Sequence, residues 1–377
     1  MDSRPLAPES LYGEDFGSVF SCRRILHDGD VPPADPRSVD VAVLDMHHNW
    51  PNLGHDSLVR AVGEIASDLH PLLDSAGLQI RVLSYDVRRR HAVPDPPGDR
   101  HQIYIGTGGP GHIDPHRNDG VAEGTQGIRE DAAWERPLFR IFDAIYQDPS
   151  AALLAVCHTF GVLCRWAGIA RPALRGPSKG GKSSGIVENV LTDEALTHPW
   201  FSRFAAELPG WRRFKVLDSR LYDLIPVGRP FPAGTIPLSY ESRPRNDESD
   251  VLTMVEFARD RQEIMPRMLA VNHHPEIRDR RRQRRLLDLK LASGDGQVEW
   301  YEERARSLDQ AFDTPDTEHS VLLTSRFTLT APLRFFLYRQ VRLRAEAAGH
   351  GTDLHEDQVV RLPSGVLDRE QIYPNSE

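Results

Sequence analysis

Leu153-Leu-Ala-Val-Cys157-His-Thr-Phe-Gly161 is the stretch on which the fold turns. Its apolar first half, continuous with Ala151-Ala152, reads as a buried strand, and the pattern from about Phe160 to Gly168 reads as a helix. A cysteine therefore falls at a strand-to-helix turn. Such a turn lifts the side chain above a sheet, aims backbone N–H groups at what lies there, and places sulfur at a helix N-terminus, which favours thiolate over thiol. Cysteine is also an ordinary buried packing residue, so its role depends on what the rest of the chain supplies.

Working outward, Val41-Ala-Val-Leu-Asp45, a loop Met46 to Gly54 and a helix-period segment Ser57 to Leu73 make a βα unit. Strands follow at Leu78 to Ser84 and Gln102 to Gly106, and Trp134 to Gln147 carries Leu138, Ile141, Phe142 and Ile145 on one helical face. Alternating strands and helices predict an α/β fold with a mostly parallel sheet covered on both faces. Further strands are expected at Ile186 to Leu191, Phe214 to Asp218, Val251 to Phe257 and Met268 to Asn272. Beyond Pro275, the segments Ile277 to Leu291, Val298 to Phe312 and Ser320 to Ala347 are charged and helix-periodic. The expected organisation is an arm over 1–38, a catalytic domain over 39–276 and a helical C-terminal extension over 277–377. No internal repeat is visible at solenoid periods.

A chain of 377 residues can hold a sizeable core, and 28 glycines with 29 prolines make it globular but rich in loops. The formal charge of −9 argues against a general nucleic-acid binder, which needs a basic face to displace counterions from phosphate. Three cysteines, Cys22, Cys157 and Cys164, include no C-x-x-C pair, so neither a disulfide framework nor a zinc knuckle is expected. A reducing cytoplasm fits that usage. Met1 to Pro8 has no apolar core of signal-peptide length and no later stretch approaches membrane length, so neither export nor a membrane partner is expected.

Two further motifs bear on Cys157. Asn272-His273-His274-Pro275-Glu276 follows a strand, where His274 could deprotonate a thiol and Glu276 orient the imidazole; a satisfied surface histidine is the plainer alternative. Thr107-Gly-Gly-Pro-Gly111 also follows a strand, and its missing side chains would let backbone N–H groups approach an oxyanion, or simply make a tight turn.

Taken in this order, the three motifs resemble the class I glutamine amidotransferase family over roughly residues 40 to 276. Thr197-His-Pro-Trp-Phe201 and Val216-Leu-Asp-Ser-Arg-Leu-Tyr-Asp-Leu-Ile-Pro226 resemble further segments of it. The resemblance implies a flavodoxin-like three-layer sandwich and a Cys157, His274, Glu276 triad. Cys157 would attack the glutamine side-chain amide, release ammonia and leave a γ-glutamyl thioester for water to hydrolyse. Gly108 and Gly109 would form the substrate and oxyanion turn, with the backbone N–H groups of Gly109 and His158 as donors, each typically worth roughly 10²–10³ in rate. No cofactor and no metal are implied. Without an S-G-G-x-D-S loop after the domain, a synthetase partner would act in trans on the released ammonia.

The elbow departs from the family's G-x-C-x-G-x-Q at three positions, which here hold Ala155, Thr159 and Gly161. Thr159 puts a branched side chain where glycine is usual, and Gly161 removes a glutamine that helps hold substrate in the family. A cysteine hydrolase of γ-glutamyl or other amide bonds, and a catalytically silent assembly module, are the alternatives. The Cys157-His158 pair also resembles the related intracellular cysteine peptidase and chaperone branch.

Three other motifs compete for attention. Gly176-Pro-Ser-Lys-Gly-Gly-Lys182-Ser183 matches the phosphate-binding G-x-x-x-x-G-K-[ST], but Ala170 to Gly176 reads as a proline-broken basic segment, and a strand rather than a helix is expected next. A surface loop is the expectation there. His112-Ile-Asp114-Pro-His116, with His47 and His48, has metal-ligand residue types, and a solvated loop is preferred. Arg278 to Arg285 reads as a solvated helix.

Overall fold

The computed structural model describes residues 16–48, 53–176, 181–228, 230–242, 250–294, 298–352 and 359–360. The chain divides into two compact units, the first made of 1–106, 133–154 and 330–377, the second of 107–132 and 155–329.

In the first unit the strands are β1 (Phe20–Ile25), β2 (Ser38–Asp45), β3 (Gln79–Asp86), β4 (His101–Gly106) and the start of β5 (Ala152–Val156), in the order β1-β3-β2-β4-β5. Strands β1, β3, β2 and β4 pair in parallel, with Asp45 opposite Asp86 and Leu44 opposite Gly106, so β2, β3 and β4 end together. Strands β2 and β3 are almost wholly buried, as a parallel sheet requires, because its crossovers lay helices on the faces. The helices Leu53–Asp68, His70–Ala76 and Ala331–Ala347 pack here, and the helix Glu135–Gln147 buries the four apolar residues expected of it. Strand β1 lies in the segment read as an arm. Its pattern is broken by Arg23 and Arg24, and Arg24 is consumed by an ion pair of 2.8 Å with Asp86.

The second unit is built differently. Its strands are β6 (Ala170–Leu174), β7 (Ser183–Leu191), β8 (Arg213–Arg220), β9 (Tyr222–Pro226), β10 (Ile236–Glu241), β11 (Leu252–Arg259) and β12 (Pro266–Val271). Their order is β12-β11-β10-β7-β8, with β9 beside β11 and β6 beside β9. Every one of these pairings is antiparallel. The expectation of a mostly parallel sheet thus holds for the first unit and is corrected for the second. Leu221 alone separates β8 from β9, which do not pair, whereas residues 260–265 turn β11 directly into its partner β12, too short for the crossover that parallel strands need. Asp260 Oδ1 holds the latter turn by accepting the N–H groups of Ile264 and Met265, with Glu263 at φ 58°.

The C-terminal segment is helical as expected, over Arg280–Ser293, Val298–Ala311, Pro315–Ser325 and Ala331–Ala347, with a π-helical turn at Arg326–Thr330. Its first three helices fall in the second unit and the last in the first. Among the described residues, no helix is long and apolar enough to cross a membrane.

Candidate active site

Cys157 follows β5 directly and caps the helix His158–Trp166. Its backbone sits at φ 49°, ψ −99°, a region that costs a residue with a Cβ on the order of 1–3 kcal/mol and persists where the surroundings over-determine it. Those surroundings are specific. Cys157 N–H donates to the Val271 carbonyl at 2.8 Å, which ties the turn to the end of β12, and three residues later the His274 N–H donates to Leu217 O at 2.8 Å. The sulfur-bearing turn is thereby fixed to the end of β12, and the histidine that follows β12 is fixed to β8.

His274 Nδ1 lies 2.8 Å from Glu276 Oε1, and Glu276 is buried. His274 is raised to about 10: burial works against its charge, but the Glu276 carboxylate and then the charge of Cys157 outweigh it. Cys157 is half-buried, whereas Cys22 and Cys164 are buried and burial pushes the Cys164 thiol well up. Accessible sulfur at the end of a helix, beside an imidazole that a carboxylate holds in place, is competent for nucleophilic attack with proton transfer.

Gly108 is buried against this pair. A Cβ there would stand 3.2 Å from His274 Cε1, 3.5 Å from Cys157 Cβ and 3.9 Å from its Sγ. Only a bare backbone fits at that distance without displacing the imidazole. Gly109 follows, half-buried in the loop after β4, and His158 is the first residue of the elbow helix, its side chain buried.

Thr159 is accommodated. Its Oγ1 donates to Thr107 O at 2.7 Å, turning the branched side chain away into a bond that fastens the helix to the glycine turn. At Gly161 a Cβ would meet Ile113 Cδ1 at 2.5 Å, so an isoleucine fills the space of any side chain at that position.

The remaining motifs have structural partners. His198, in Thr197-His-Pro-Trp-Phe201, accepts the Trp200 N–H at 2.9 Å through Nδ1 and reaches Glu256 Oε2 at 2.8 Å through Nε2, entirely buried. In the G-x-x-x-x-G-K-S match, residues 177–180 lie outside the described residues. Ser183 opens strand β7 where a phosphate loop would open a helix, and Lys182 Nζ is 2.5 Å from Glu303 Oε1. The segment expected to be proline-broken is strand β6, tolerated because it pairs with β9 alone. His112 Nδ1 accepts the Asp114 N–H, and Asp114 pairs with Arg165 at 3.3 Å. No group of His, Cys, Asp and Glu among the described residues could hold a metal. Arg280 and Arg284 both reach Asp309 at 2.8 Å, exposed pairs of little energetic weight.

Sequence reasoning missed Arg304 and Glu303. Both lie in the helix Val298–Ala311, and the Cys157 charge acts on Arg304 and on Lys182. Nothing in their local sequence marks them, since only the packing of that helix on β7 brings Glu303 to Lys182 and Ser184.

No family model matches the sequence, and no curated protein matches it. Among solved structures, the chain is similar to a glutamine amidotransferase from Thermotoga maritima, with 13% identity, a TM-score of 0.43, and 80% of this chain and 98% of that one covered. It is also similar to a putative GMP synthase subunit from Thermoplasma acidophilum, with 11% identity, a TM-score of 0.34, and 63% and 85% covered. Both overlaps are loose, and the site stands on its own geometry.

Proposed function

We propose that the chain is a cysteine-dependent amide hydrolase of the glutamine amidotransferase type, with Cys157 as nucleophile, His274 as proton carrier and Glu276 as its orienting carboxylate. The observation that carries this reading is His274, bonded to Glu276 at 2.8 Å and held protonated by Glu276 and Cys157 together. The Cys157 sulfur adds to the amide carbonyl, and the oxyanion that forms is met by the N–H groups of Gly109 and His158. The C–N bond then breaks as His274 gives its proton to the departing nitrogen, which leaves as ammonia. Water, deprotonated by His274, attacks the thioester carbonyl, the C–S bond breaks, and the acid is released with the thiol restored. Ammonia passes to an acceptor held by a synthetase partner in trans.

The packing of Ile113 over Gly161 favours a second reading within the same chemistry, a hydrolase of γ-glutamyl or other amide bonds rather than of glutamine itself. Placement of Thr159 against Thr107 supports an open elbow over a silent module. Ammonia and glutamate release from glutamine, measured for wild type and Cys157→Ala, tests the first reading. Equal rates in the two proteins would refute it, and turnover of γ-glutamyl amides without turnover of glutamine would select the second.

A further inference from the structure

Polar contacts tie the end of the helix Pro315–Ser325 to the sheet of the second unit. Ser320 Oγ accepts the Lys215 N–H at 3.4 Å and Thr324 Oγ1 donates to Lys215 O at 3.0 Å, so the helix is fastened to β8. Just beyond it, Trp200 Nε1 donates to Phe327 O at 2.9 Å, and the Phe327 ring packs on Trp200 and Phe204 with centroids 5.1 and 5.0 Å away. These contacts hold the π-helical turn Arg326–Thr330, a rare backbone form that recurs at functional sites.

From that turn and the helix end, two buried hydroxyls reach the residues on either side of His274. Ser325 Oγ donates to Pro275 O at 2.5 Å, and Thr328 Oγ1 lies 3.3 Å from His273 Nε2. Thr328 spends its own hydrogen on Thr324 O at 2.8 Å, so toward His273 it can only accept. That fixes the neutral His273 as the tautomer with its hydrogen on Nε2, and leaves its buried Nδ1 an acceptor with no donor among the described residues. His273 is pushed down to about 3, by burial first and then by the charges of His274 and Arg220. Of two adjacent histidines, one ring is thus neutral and fixed, and the other carries the proton.

We propose that Ser325 and Thr328 are positioning residues for His274, the C-terminal helical segment gripping the chain on both sides of it. This rests on the reading of His274 as the proton carrier for Cys157. Backbone bonds from Asn272 N–H to Thr253 O at 2.9 Å and from His274 N–H to Leu217 O at 2.8 Å fix how the segment leaves β12. Ser325 adds a bond to the peptide that leads into Glu276, and Thr328 adds one to the ring beside His274. Both matter because Glu276 must stay 2.8 Å from His274 Nδ1, while Gly108 leaves the imidazole only the clearance of a bare backbone. A carboxylate that drifts away attracts the imidazolium less, and a misaimed imidazole transfers its proton poorly.

Nitrogen NMR of the full chain carrying isotopically labelled histidine, with signals assigned through His273→Gln and His274→Gln, reads both rings without requiring turnover. In the wild type, His273 should show the neutral Nε2–H pattern near neutral pH, and His274 should stay charged to about pH 10. In Ser325→Ala and in Thr328→Val the His274 midpoint is expected to fall by about one pH unit, a loss of roughly tenfold in proton affinity, because its carboxylate partner is held less closely. Thr328→Ser keeps the hydroxyl and should restore the midpoint. Ser320→Ala loosens the same helix away from the histidine loop and should leave it near wild type. Amide hydrolysis should follow, with kcat falling roughly tenfold at unchanged KM in Thr328→Val. Should Ser325→Ala fail to fold, the pair Thr328→Val and Thr328→Ser decides. Midpoints unmoved in the folded variants, or an equal fall in Ser320→Ala, overturn the grip while leaving the triad intact. A wild-type His274 that titrates near the ordinary 6.5 overturns the triad and the grip together.

Discussion

Each unit holds a cluster that could pass for a catalytic site, and the two behave oppositely. In the first, His55 Nε2 lies 2.6 Å from Ser84 Oγ, with the Asp45 charge acting on the ring, the residue types of a serine triad. In the second, His274 stands between Glu276 and Cys157. Burial penalises both imidazolium ions. His55 yields to that penalty and is pushed down to about 3, because the attraction of Asp45 is set against His47 and Arg24. His274 overcomes it and is raised to about 10, because Glu276 and Cys157 both favour the charge. Backbone separates them further: Ser84 lies within regular β3, fully buried, whereas Cys157 is lifted out of line at positive φ and remains accessible. Residue types alone do not make a site; compensated charge, a strained turn and access do.

The largest effect expected from this contrast is on turnover. Cys157→Ala should lower amide hydrolysis by about 10⁴-fold or more, as removal of a nucleophile does, whereas Ser84→Ala should leave the rate unchanged, both read as ammonia release. Glu276→Gln removes the first of the attractions that raise His274, and should cost roughly 10²–10⁴ in kcat while moving the alkaline limb of the pH–rate profile down from near 10. An unmoved limb would break the comparison. Gly108→Ala forces a Cβ to 3.2 Å from His274 Cε1 and should cost roughly 10–100-fold in kcat with the fold retained by circular dichroism.

Stability gives a smaller test with opposite signs. The folded value of His274 lies above the ordinary 6.5, so its contribution is full below pH 6.5 and is lost as pH rises through about 10. His55 and His273 are each pushed down to about 3, so theirs is full above pH 6.5 and is lost as pH falls toward 3. Urea denaturation from pH 4 to 10 should show His274→Gln levelling the alkaline decline and His55→Gln the acid one; the reverse assignment would be wrong for this structure. Smallest of all, Ser84→Ala leaves His55 Nε2 without its hydroxyl partner and should cost on the order of 1–3 kcal/mol in the same experiment.

The strands that position the site were legible because they are long, apolar runs ended by turn residues: β2 to β5, β7, β8, β11 and β12 all lie where hydrophobic patterning puts them. Those that escaped are short or interrupted. Strand β1 carries two arginines, and Pro172, Pro226 and Pro237 sit within β6, β9 and β10, where proline ordinarily argues against a strand. Strand direction was legible only in part, since β7 and β8 pair antiparallel across residues 192–212, a connection long enough for a parallel crossover. The Cys157, His274 and Glu276 positions could be named from motif order. The hydrogen bond that turns Thr159 out of the way, the isoleucine over Gly161 and the ion pair of Lys182 with Glu303 are tertiary events with no local signature.

Acid quench of wild-type enzyme turning over labelled γ-glutamyl amide, followed by peptide mapping, tests the central claim most directly. The account predicts a labelled acyl group on the peptide containing Cys157, absent in Cys157→Ala and still present in Ser84→Ala. Turnover with no label on that peptide, or label that survives in Cys157→Ala, would contradict it.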